Sequence, residues 1–398
     1  MGFTLACYGS LQVWLNSLSA DDAAKHRVCA FGLCPGEFSP ERVFELQQFI
    51  HGDRSSHALL QLKRALRLDP ASAYAWADLG DAESNGKNLT AARYCFDRSL
   101  ALGPANPVIL FRAANFDFQS GDDAGTLRNL RAILKNPELA AYYEPAFLTY
   151  SRMNLPIEQI LDRGIPAAPA ASAFLRYWIN SNHPKEAAAV WNWLPAHAPA
   201  GDTLASEYMS FLIRNKNEVQ AAETWKKLTA KQMPEYRQMN FVYNGGFEQA
   251  PKPPPFDWKL DSGKDVLVSR VQSVAHDGDW SLRLVFEGLE NVEFHQAVQD
   301  VVLERGRWQL KAYLKTDQIT TDQGVALHIF DPRQPSRLDI RLDSFTGNHP
   351  WTQLERTFDV GPDTKMVRLE LARQASKKFD NKITGSAWLD SVELSPIR

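Results

Sequence analysis

Acidic and cysteine side chains are the first candidates for chemistry in this chain. Asp390 lies two residues from both Trp388 and Val392, so a β-strand would place its carboxylate on the same face as those apolar side chains. A carboxylate that faces a core is costly unless it is hydrogen-bonded or paired with a metal ion. Asp390 is therefore a candidate for a buried structural role or for a metal ligand.

Cys29 and Cys34 are the closest pair among the four cysteines. They enclose a short loop that could close as a disulfide in an oxidising compartment. A metal site would need two further ligands at matching spacing, and none follows in the sequence. The alternative is two thiols that are packed or solvated.

Aromatic and polar side chains are the candidates for a ligand-binding surface, because a flat ring can stack on a ligand while nearby polar groups form hydrogen bonds to it. The candidates lie on the outward positions of the predicted strands or on adjoining loops, and they are Trp258, His295, Gln299, Tyr313, His328, Phe330 and Trp351. The outward positions also carry charged side chains, among them Lys311, Lys315, Arg337, Asp339 and Arg341. Such a face would suit solvent, a protein contact or an acidic polysaccharide.

Enzymatic motifs are absent from the sequence, which has no GxSxG, HExxH, P-loop or GxGxxG pattern. The formal net charge is -3 and the pI is near 6.3, so the chain lacks the basic excess that binding to nucleic acid phosphates requires. Hydrophobic residues at 44% and charged residues at 23% are typical of a folded globular protein. We expect a protein that neither catalyses a reaction nor binds nucleic acid.

Helical repeats dominate the first part of the chain. Trp76, Gly80, Ala92, Phe96 and Pro104 occupy the large and small positions of a tetratricopeptide unit. The small residues leave room where two antiparallel helices approach, and the proline ends the second helix. The period degrades beyond residue 137, although helical spacing continues. We predict five to six helical hairpins over residues 37–235, stacked into a solenoid whose groove binds protein partners or another copy of the chain.

Residues 1–36 precede these repeats as a separate N-terminal helical segment. Residues 3–18 are largely apolar but contain Ser10, Gln12 and Asn16, and no stretch reaches the length of a membrane-spanning helix. The segment is predicted to be a first amphipathic helix or the remnant of a membrane anchor, which would give an N-terminal membrane association.

The sequence pattern changes after Pro234 from a period of 3.6 residues to a period of two. Apolar and polar residues alternate in several stretches, the clearest of which are 280–286 and 308–315. About eight short strands without helices between them predict an antiparallel β-sandwich of the jelly-roll type over residues 236–398, with Trp280, Trp308 and Trp388 in its core. The expected fold is therefore multidomain, an α-solenoid of tetratricopeptide type followed by a β-sandwich.

Five features of this second part occur in a characteristic order. They are Asn-Gly-Gly-Phe-Glu at 244–248, His-Asp-Gly at 276–278 before a strand, Gln299, Trp308, and Trp-Leu-Asp-Ser-Val at 388–392. Together they resemble carbohydrate-binding modules of the galactose-binding-like jelly-roll families that bind xylan and glucan. With the preceding repeats, the chain resembles bacterial envelope proteins that join tetratricopeptide repeats to such a module.

This resemblance implies a structural calcium ion. Its side-chain ligands would be Glu248 and Asp390, and Gly278 or Asp279 would supply a backbone carbonyl, a set of oxygen donors that suits a hard cation. The alternative is a pair of carboxylates satisfied by turn amides. The resemblance also implies a location in the bacterial cell envelope or outside the cell, where residues 3–18 would be an anchor remnant.

Two functions follow from these observations. The first is a non-catalytic scaffold whose solenoid contacts proteins while the sandwich binds a glycan through Trp258, His295, Gln299, Tyr313, His328 and Trp351. The second is structural, with both domains binding neighbouring copies to form an extracellular oligomer or filament. No motif supports a third function, that of a carbohydrate-active enzyme.

Overall fold

A computed structural model describes residues 56–166, 168–197 and 201–397. The chain divides into two compact units, residues 1–199 and 200–398. The predictions for residues 1–36, including the anchor remnant and the Cys29 and Cys34 pair, lie outside the described residues. None of the described helices is long and apolar enough to cross a membrane.

The described part of the first unit consists of α-helices joined by short turns. Helices α1 to α9 span, in order, Ser56–Leu68, Ala73–Asn85, Leu89–Leu102, Pro107–Ser120, Asp123–Leu134, Tyr143–Arg152, Ile157–Gly164, Ala168–Asn180 and Pro184–His197, with a 3-10 helix at Pro137–Tyr142. Helix α2 packs on α3, α4 on α5 and α8 on α9. The prediction of successive helical hairpins is confirmed.

Close packing inside the hairpin of α2 and α3 requires Gly80. A Cβ atom at this position would lie 3.0 Å from the ring of Phe96, which is only 2% exposed. Phe96 in turn stacks on Phe116 of the next hairpin, with ring centroids 4.9 Å apart. The small and large residues of the repeat therefore serve helix packing, as predicted.

The turns inside these hairpins share one backbone geometry. Lys87 and Gly121 lie 34 residues apart and both have left-handed φ angles, of 62° and 78°. The residues that follow them, Asn88 and Asp122, cap α3 and α5 by accepting backbone N–H groups with their side chains. The two hairpins therefore repeat the same turn geometry as well as the same pattern of helix faces.

Ion pairs join neighbouring hairpins of the first unit. Arg112 on α4 donates to Asp78 at 2.7 Å and to Asp81 at 2.9 Å, both on α2. Arg93 on α3 donates to Asp117 on α4 at 2.9 Å. Burial raises the pKa of Asp78 and of Asp117, so each of these carboxylates depends on its arginine to stay ionised.

The second unit begins with a helical hairpin and continues as β-sheet. Its helices are α10, Asp202–Arg214, and α11, Glu218–Thr229. Strands β1 to β10 span, in order, Lys259–Leu260, Val266–Val271, Ser281–Glu287, Phe294–Val302, Gly306–Ile319, Ala326–Phe330, Asp339–Arg341, Gly347–Val360, Met366–Arg373 and Thr384–Pro396, with a 3-10 helix at Pro335–Arg337. Helices α10 and α11 begin 34 residues after α8 and α9, so the repeat period returns after the irregular pair α6 and α7.

Two five-stranded antiparallel sheets form a β-sandwich, as predicted. The first sheet has the order β1-β4-β9-β6-β7 and the second sheet the order β2-β3-β10-β5-β8. Side chains from both sheets, such as Val301 and Leu369 of the first and Leu284 and Leu310 of the second, form one core. Burial alternates along β3 and β5, which confirms the period of two predicted for these strands.

The hairpin of α10 and α11 packs directly on the sandwich. The ring of Trp225 contacts the rings of Tyr243 and Phe256, with centroids 5.4 Å and 6.3 Å away. Glu218, which is 3% exposed, forms an ion pair with Arg333 of the loop after β6. The hairpin therefore belongs to the same compact unit as the two sheets.

Two fragments test this assignment. We expect residues 201–398 to unfold in one cooperative transition, and residues 236–398 to melt at least about 5 °C lower, because loss of the hairpin uncovers Tyr243 and Phe256. Circular dichroism melting and dye binding to exposed apolar surface measure the difference. Equal melting temperatures for the two fragments would show that the hairpin does not stabilise the sandwich. The boundary between the two units would then lie at residue 235 and not at residue 199.

Candidate functional site

The six residues predicted to bind glycan fall in three different places. His295 and His328 lie on the outer face of the first sheet, Tyr313 and Trp351 lie on the outer face of the second sheet, and Trp258 and Gln299 are buried. No single surface therefore contains the whole predicted set.

Trp258 has no ring face available to a sugar, and the prediction for it was wrong. Its side chain is 1% exposed and contacts Phe247, with ring centroids 5.2 Å apart. The ring belongs to the core between the two sheets, and its backbone N–H donates to the carboxylate of Asp257 at 2.7 Å. The proline-rich loop ends by inserting this tryptophan into the core.

Gln299 is also turned away from solvent. Its Oε1 atom accepts the backbone N–H of Tyr243 at 2.9 Å, and its Nε2 atom donates to the carbonyl of the same residue at 2.8 Å. This amide ties β4 to the segment that enters the sandwich, so it is not available to a sugar hydroxyl.

A hydrogen-bonded group on the outer face of the first sheet, the histidine network, consists of His295, His328, Asp339 and Glu370. The Oε1 atom of Glu370 lies 3.0 Å from Nδ1 of His295 and 2.8 Å from Nδ1 of His328. The Nε2 atom of His328 lies 2.7 Å from Oδ1 of Asp339 on the edge strand β7. The polar atoms of this face are therefore directed at one another.

The histidine network favours a protonated His328. Burial alone would lower the pKa of His328, but its hydrogen bonds to Glu370 and Asp339 outweigh burial and raise the pKa. Burial would likewise raise the pKa of Glu370, but the bonds from His328 and His295 outweigh it and lower the pKa. Imidazolium and carboxylate thus stabilise one another in their charged forms.

An open cleft of 680 Å³, the Trp388 cleft, lies on the outer face of the second sheet. Its lining includes Arg283, Lys315, Asn348, His349 and Trp388. Arg283 on β3 and Lys315 on β5 are the cross-strand partners of Trp388 on β10, so all three lie on one face. The guanidinium of Arg283 is 5.3 Å from the centre of the indole ring.

Three buried polar atoms of residues that line this cleft have no hydrogen-bond partner within the described residues. They are Nε of Arg283, Oγ1 of Thr316 and Nε1 of Trp388. A buried donor that lacks a partner costs about 1–3 kcal/mol.

Trp388 and Asp390 face away from the core, contrary to the prediction that they face inward. Strand β10 contains a bulge between Asp390 and Glu393, where Ser391 has a φ angle of 49°. A bulge inserts an extra residue and reverses the alternation of side chains. The core-facing residues of the strand are Ala387 and Leu389 before the bulge and Val392 and Leu394 after it.

Asp390 instead holds the turn at residues 276–280. Its Oδ2 atom accepts backbone N–H groups from His276 at 2.7 Å and from the next residue at 3.2 Å. The Oε1 atom of Glu248 accepts the N–H groups of Asp279 at 2.9 Å and of Trp280 at 3.0 Å. Two carboxylates therefore clamp one turn through its backbone amides.

The predicted calcium ligands meet at this turn. Glu248 and Asp390 both contact this turn, whereas Asp279 contributes its amide, and both carboxylates already accept amide protons. Among the described residues, no group of three His, Cys, Asp or Glu side chains could hold a metal ion. Calcium takes six to eight oxygen ligands, so backbone carbonyls and water would have to supply most of them.

Tyr313 and Trp351 lie beside the Trp388 cleft and are grouped around His276. The ring of His276 stacks on Tyr313 with centroids 3.5 Å apart and contacts Trp351 edge-on at 5.8 Å. The hydroxyl of Tyr313 donates to Gln353 at 2.9 Å. One face of Tyr313 is therefore covered, and Trp351, which is half-buried, follows Pro350 of the cleft wall.

Sequence reasoning missed Arg283, Thr316 and His349 as site residues and placed Lys315 only in a general charged face. The alternation in β3 and β5 was sufficient to turn Arg283 and Lys315 outward. What the sequence did not contain was the strand order, in which β10 lies between them.

No protein family and no curated protein matches the chain, but solved structures are similar to parts of it. The enzymatically active domain of bacteriophage CBA120 tailspike protein 4 is 16% identical with a TM-score of 0.29, over 40% of this chain and 22% of that one. The CBM22-1 xylan-binding domain of Paenibacillus barcinonensis Xyn10C is 13% identical with a TM-score of 0.28, over 39% and 92%. Pseudomonas aeruginosa PilF is 15% identical with a TM-score of 0.27, over 49% and 91%. Similarity at this level transfers neither an activity nor a ligand.

The histidine network predicts a pH-dependent stability. The raised pKa of His328 stabilises the folded state below the unfolded pKa of about 6.5, and this contribution is lost as the pH rises through the folded value. The lowered pKa of Glu370 contributes above its unfolded pKa of about 4.3 and is lost as the pH falls through the folded value. We therefore expect the free energy of unfolding to decrease between about pH 6 and about pH 9.

Urea unfolding at the two pH values measures this decrease in the wild type and in two variants. His328→Gln should reduce the pH dependence, and it should lower stability at acidic pH by about 1–3 kcal/mol because Glu370 loses a buried partner. His349→Gln, outside the network, should keep the wild-type dependence. An unchanged dependence in His328→Gln would contradict the assignment.

The calcium prediction has its own test at the turn. A bound ion should raise the melting temperature in CaCl₂ relative to EDTA, because a ligand that binds only the folded state stabilises it. Asp390→Asn and Glu248→Gln should abolish that rise. If the melting temperature of the wild type is the same in both solutions while Asp390→Asn is destabilised, the carboxylates act through the amides alone.

Proposed function

We propose that this protein is a non-catalytic binding protein of the bacterial cell envelope or extracellular space. In this proposal the sandwich binds an acidic polysaccharide in the Trp388 cleft, and the helical repeats contact a protein partner. The observation that carries the proposal is a pair of cations, Arg283 and Lys315, that flank the Trp388 indole at one open cleft.

The chemistry of the cleft favours an acidic sugar. Arg283 and Lys315 lie on either side of the Trp388 indole, where the carboxylate of a uronic acid would pair with both charges. Asn348 and His349 add polar groups for ring hydroxyls. Asp317 also lines the cleft and offsets one of the two positive charges. A neutral sugar would leave the other charge unpaired, which disfavours it relative to an acidic one.

Trp351 supplies further aromatic surface beside the cleft. It follows His349 and Pro350 of the cleft wall along β8, and it keeps part of its surface exposed. A sugar unit next to the one held by the cations could stack on this ring.

The outer face of the first sheet is less suited to a charged ligand. Arg368 makes two hydrogen bonds to Asp300, at 2.7 Å and 2.9 Å, and the histidine network satisfies Glu370 and Asp339. An incoming anion would have to displace carboxylates that already hold these cations. The Trp388 cleft, where Lys315 has no such partner in the described part of the chain, is the better site.

Affinity electrophoresis in gels that contain polygalacturonate, alginate or neutral xylan tests the proposal. We expect retardation of the wild type by an acidic polysaccharide. Lys315→Ala and Arg283→Ala should weaken binding about tenfold each, as expected for the loss of one well-placed ionic contact. Trp351→Ala should weaken it severalfold through loss of stacking.

Lys311→Ala is the matched control, because Lys311 lies on β5 four residues from Lys315 but does not line the cleft. It should change binding by less than about twofold. Absence of binding to every acidic and neutral polysaccharide would refute glycan binding. Equal binding to xylan without sensitivity to Arg283→Ala would refute the preference for an acidic sugar.

A further inference from the structure

A basic groove lies between α5 and α7 of the first unit. Its volume is 360 Å³, its walls include small apolar side chains such as Ala124 and Ala132, and its rim carries four cations. These are Arg128, Arg131, Lys135 and Arg163. We call this feature the α5–α7 groove.

The groove is held rigidly where the end of α7 meets α5 and α6. A Cβ atom on Gly164 would lie 2.9 Å from the ring of Tyr150 and 3.1 Å from Leu127, so the helices leave no spare room there. The hydroxyl of Tyr150 donates to the carbonyl of Gly164 at 3.1 Å. Arg131 donates to the carbonyl of Ile165 at 2.7 Å, which fixes the end of α7 against α5.

The rim cations differ from the other basic residues that join helices in this unit. Arg93 and Arg112 are bound to carboxylates of adjacent helices. Lys135 and Arg163 are exposed and have no acidic partner among the described residues, and Arg128 has only a longer-range interaction with Asp117. Three cations that form no close ion pair among the described residues therefore lie around one groove.

We propose that the α5–α7 groove binds an acidic peptide segment of a partner protein. This inference names a partner class for the helical unit and so rests on the proposed protein contact, but it is independent of the Trp388 cleft. Carboxylates of the segment would pair with Arg128, Lys135 and Arg163. Apolar side chains between them would lie against the alanine-lined wall.

A peptide fits these features better than a polyanion without apolar groups. Part of the groove wall is apolar and would stay in contact with water under a bound phosphate polymer, whereas an alternating acidic and apolar peptide buries it. The close packing of α7 on α5 and α6 near Gly164 fixes the helix backbones that form the groove, which reduces the ordering cost of binding. The carboxylates of the peptide also complement the positive charge of the rim. Such complementarity speeds association and selects the partner.

Fluorescence anisotropy with a fluorescein-labelled peptide of alternating Glu and Leu tests the inference on the full chain. We expect saturable binding that weakens with added salt, and no binding of a matching Lys and Leu peptide. Arg128→Glu combined with Arg163→Glu should weaken affinity at least about tenfold. The milder pair Lys135→Gln and Arg163→Gln should cause a smaller loss, and circular dichroism should confirm that both variants are folded.

Lys185→Glu is the control for net charge, because Lys185 is exposed in the same unit and does not line the groove. It should change affinity by less than about twofold. No saturable binding to the folded wild type, or equal weakening by Lys185→Glu, would overturn the inference. Tighter binding of inorganic polyphosphate with the same dependence on Arg163 would overturn it in favour of a phosphate ligand.

The two binding proposals can be refuted independently of one another. Arg283→Ala should leave the affinity for the acidic peptide unchanged, and Arg163→Glu should leave retardation by polygalacturonate unchanged. If either variant affected both ligands, one surface would be binding any polyanion, and the peptide assignment would be rejected.

Discussion

The bulge in β10 is the constraint on which much of the second unit depends. Strand β10 pairs with β3 on one side and β5 on the other, so its change of face is imposed on the centre of a sheet. Before the bulge, the side chain of Trp388 faces outward, and its cross-strand neighbours Arg283 and Lys315 lie beside it on the same face. After the bulge, the backbone N–H of Val392 donates to the carbonyl of Gly245 at 3.0 Å, and its carbonyl accepts from Nδ2 of Asn240 at 3.0 Å. One extra residue thus connects the cleft to the segment that enters the sandwich.

That entering segment also explains why the helices and sheets of the second unit act together. A Cβ on Gly245 would lie 2.0 Å from the carbonyl oxygen of Val392, so only glycine allows this approach. The neighbouring Tyr243 is held by Gln299 on one side and contacts Trp225 of α11 on the other. The segment is buried between hairpin and sandwich, unlike the exposed linkers at which independent domains are usually separated.

Periodicity in the sequence was enough to predict both fold classes, because each rests on local spacing. The spacing of Gly80 and Phe96 predicts helix packing, and the alternation around Leu284 and Leu310 predicts strands that face one core. The same reasoning failed at Trp388 and Trp258 for a physical reason. A bulge interrupts the period of two without changing composition, and a tryptophan on a proline-rich loop has no period from which its burial could be inferred. The cleft required the strand order, which no local pattern encodes.

Charge pairing distinguishes the outer face of the first sheet from the two surfaces proposed to bind ligands. On the first sheet, carboxylates hold His328 and Arg368, so that face is already satisfied by its own side chains. Lys315 at the Trp388 cleft and Lys135 and Arg163 at the α5–α7 groove have no such acids within the described residues. Exposed cations lose little by staying hydrated, so solvation alone could maintain them. What supports the two proposed ligands is that these cations cluster at one cleft and at one groove.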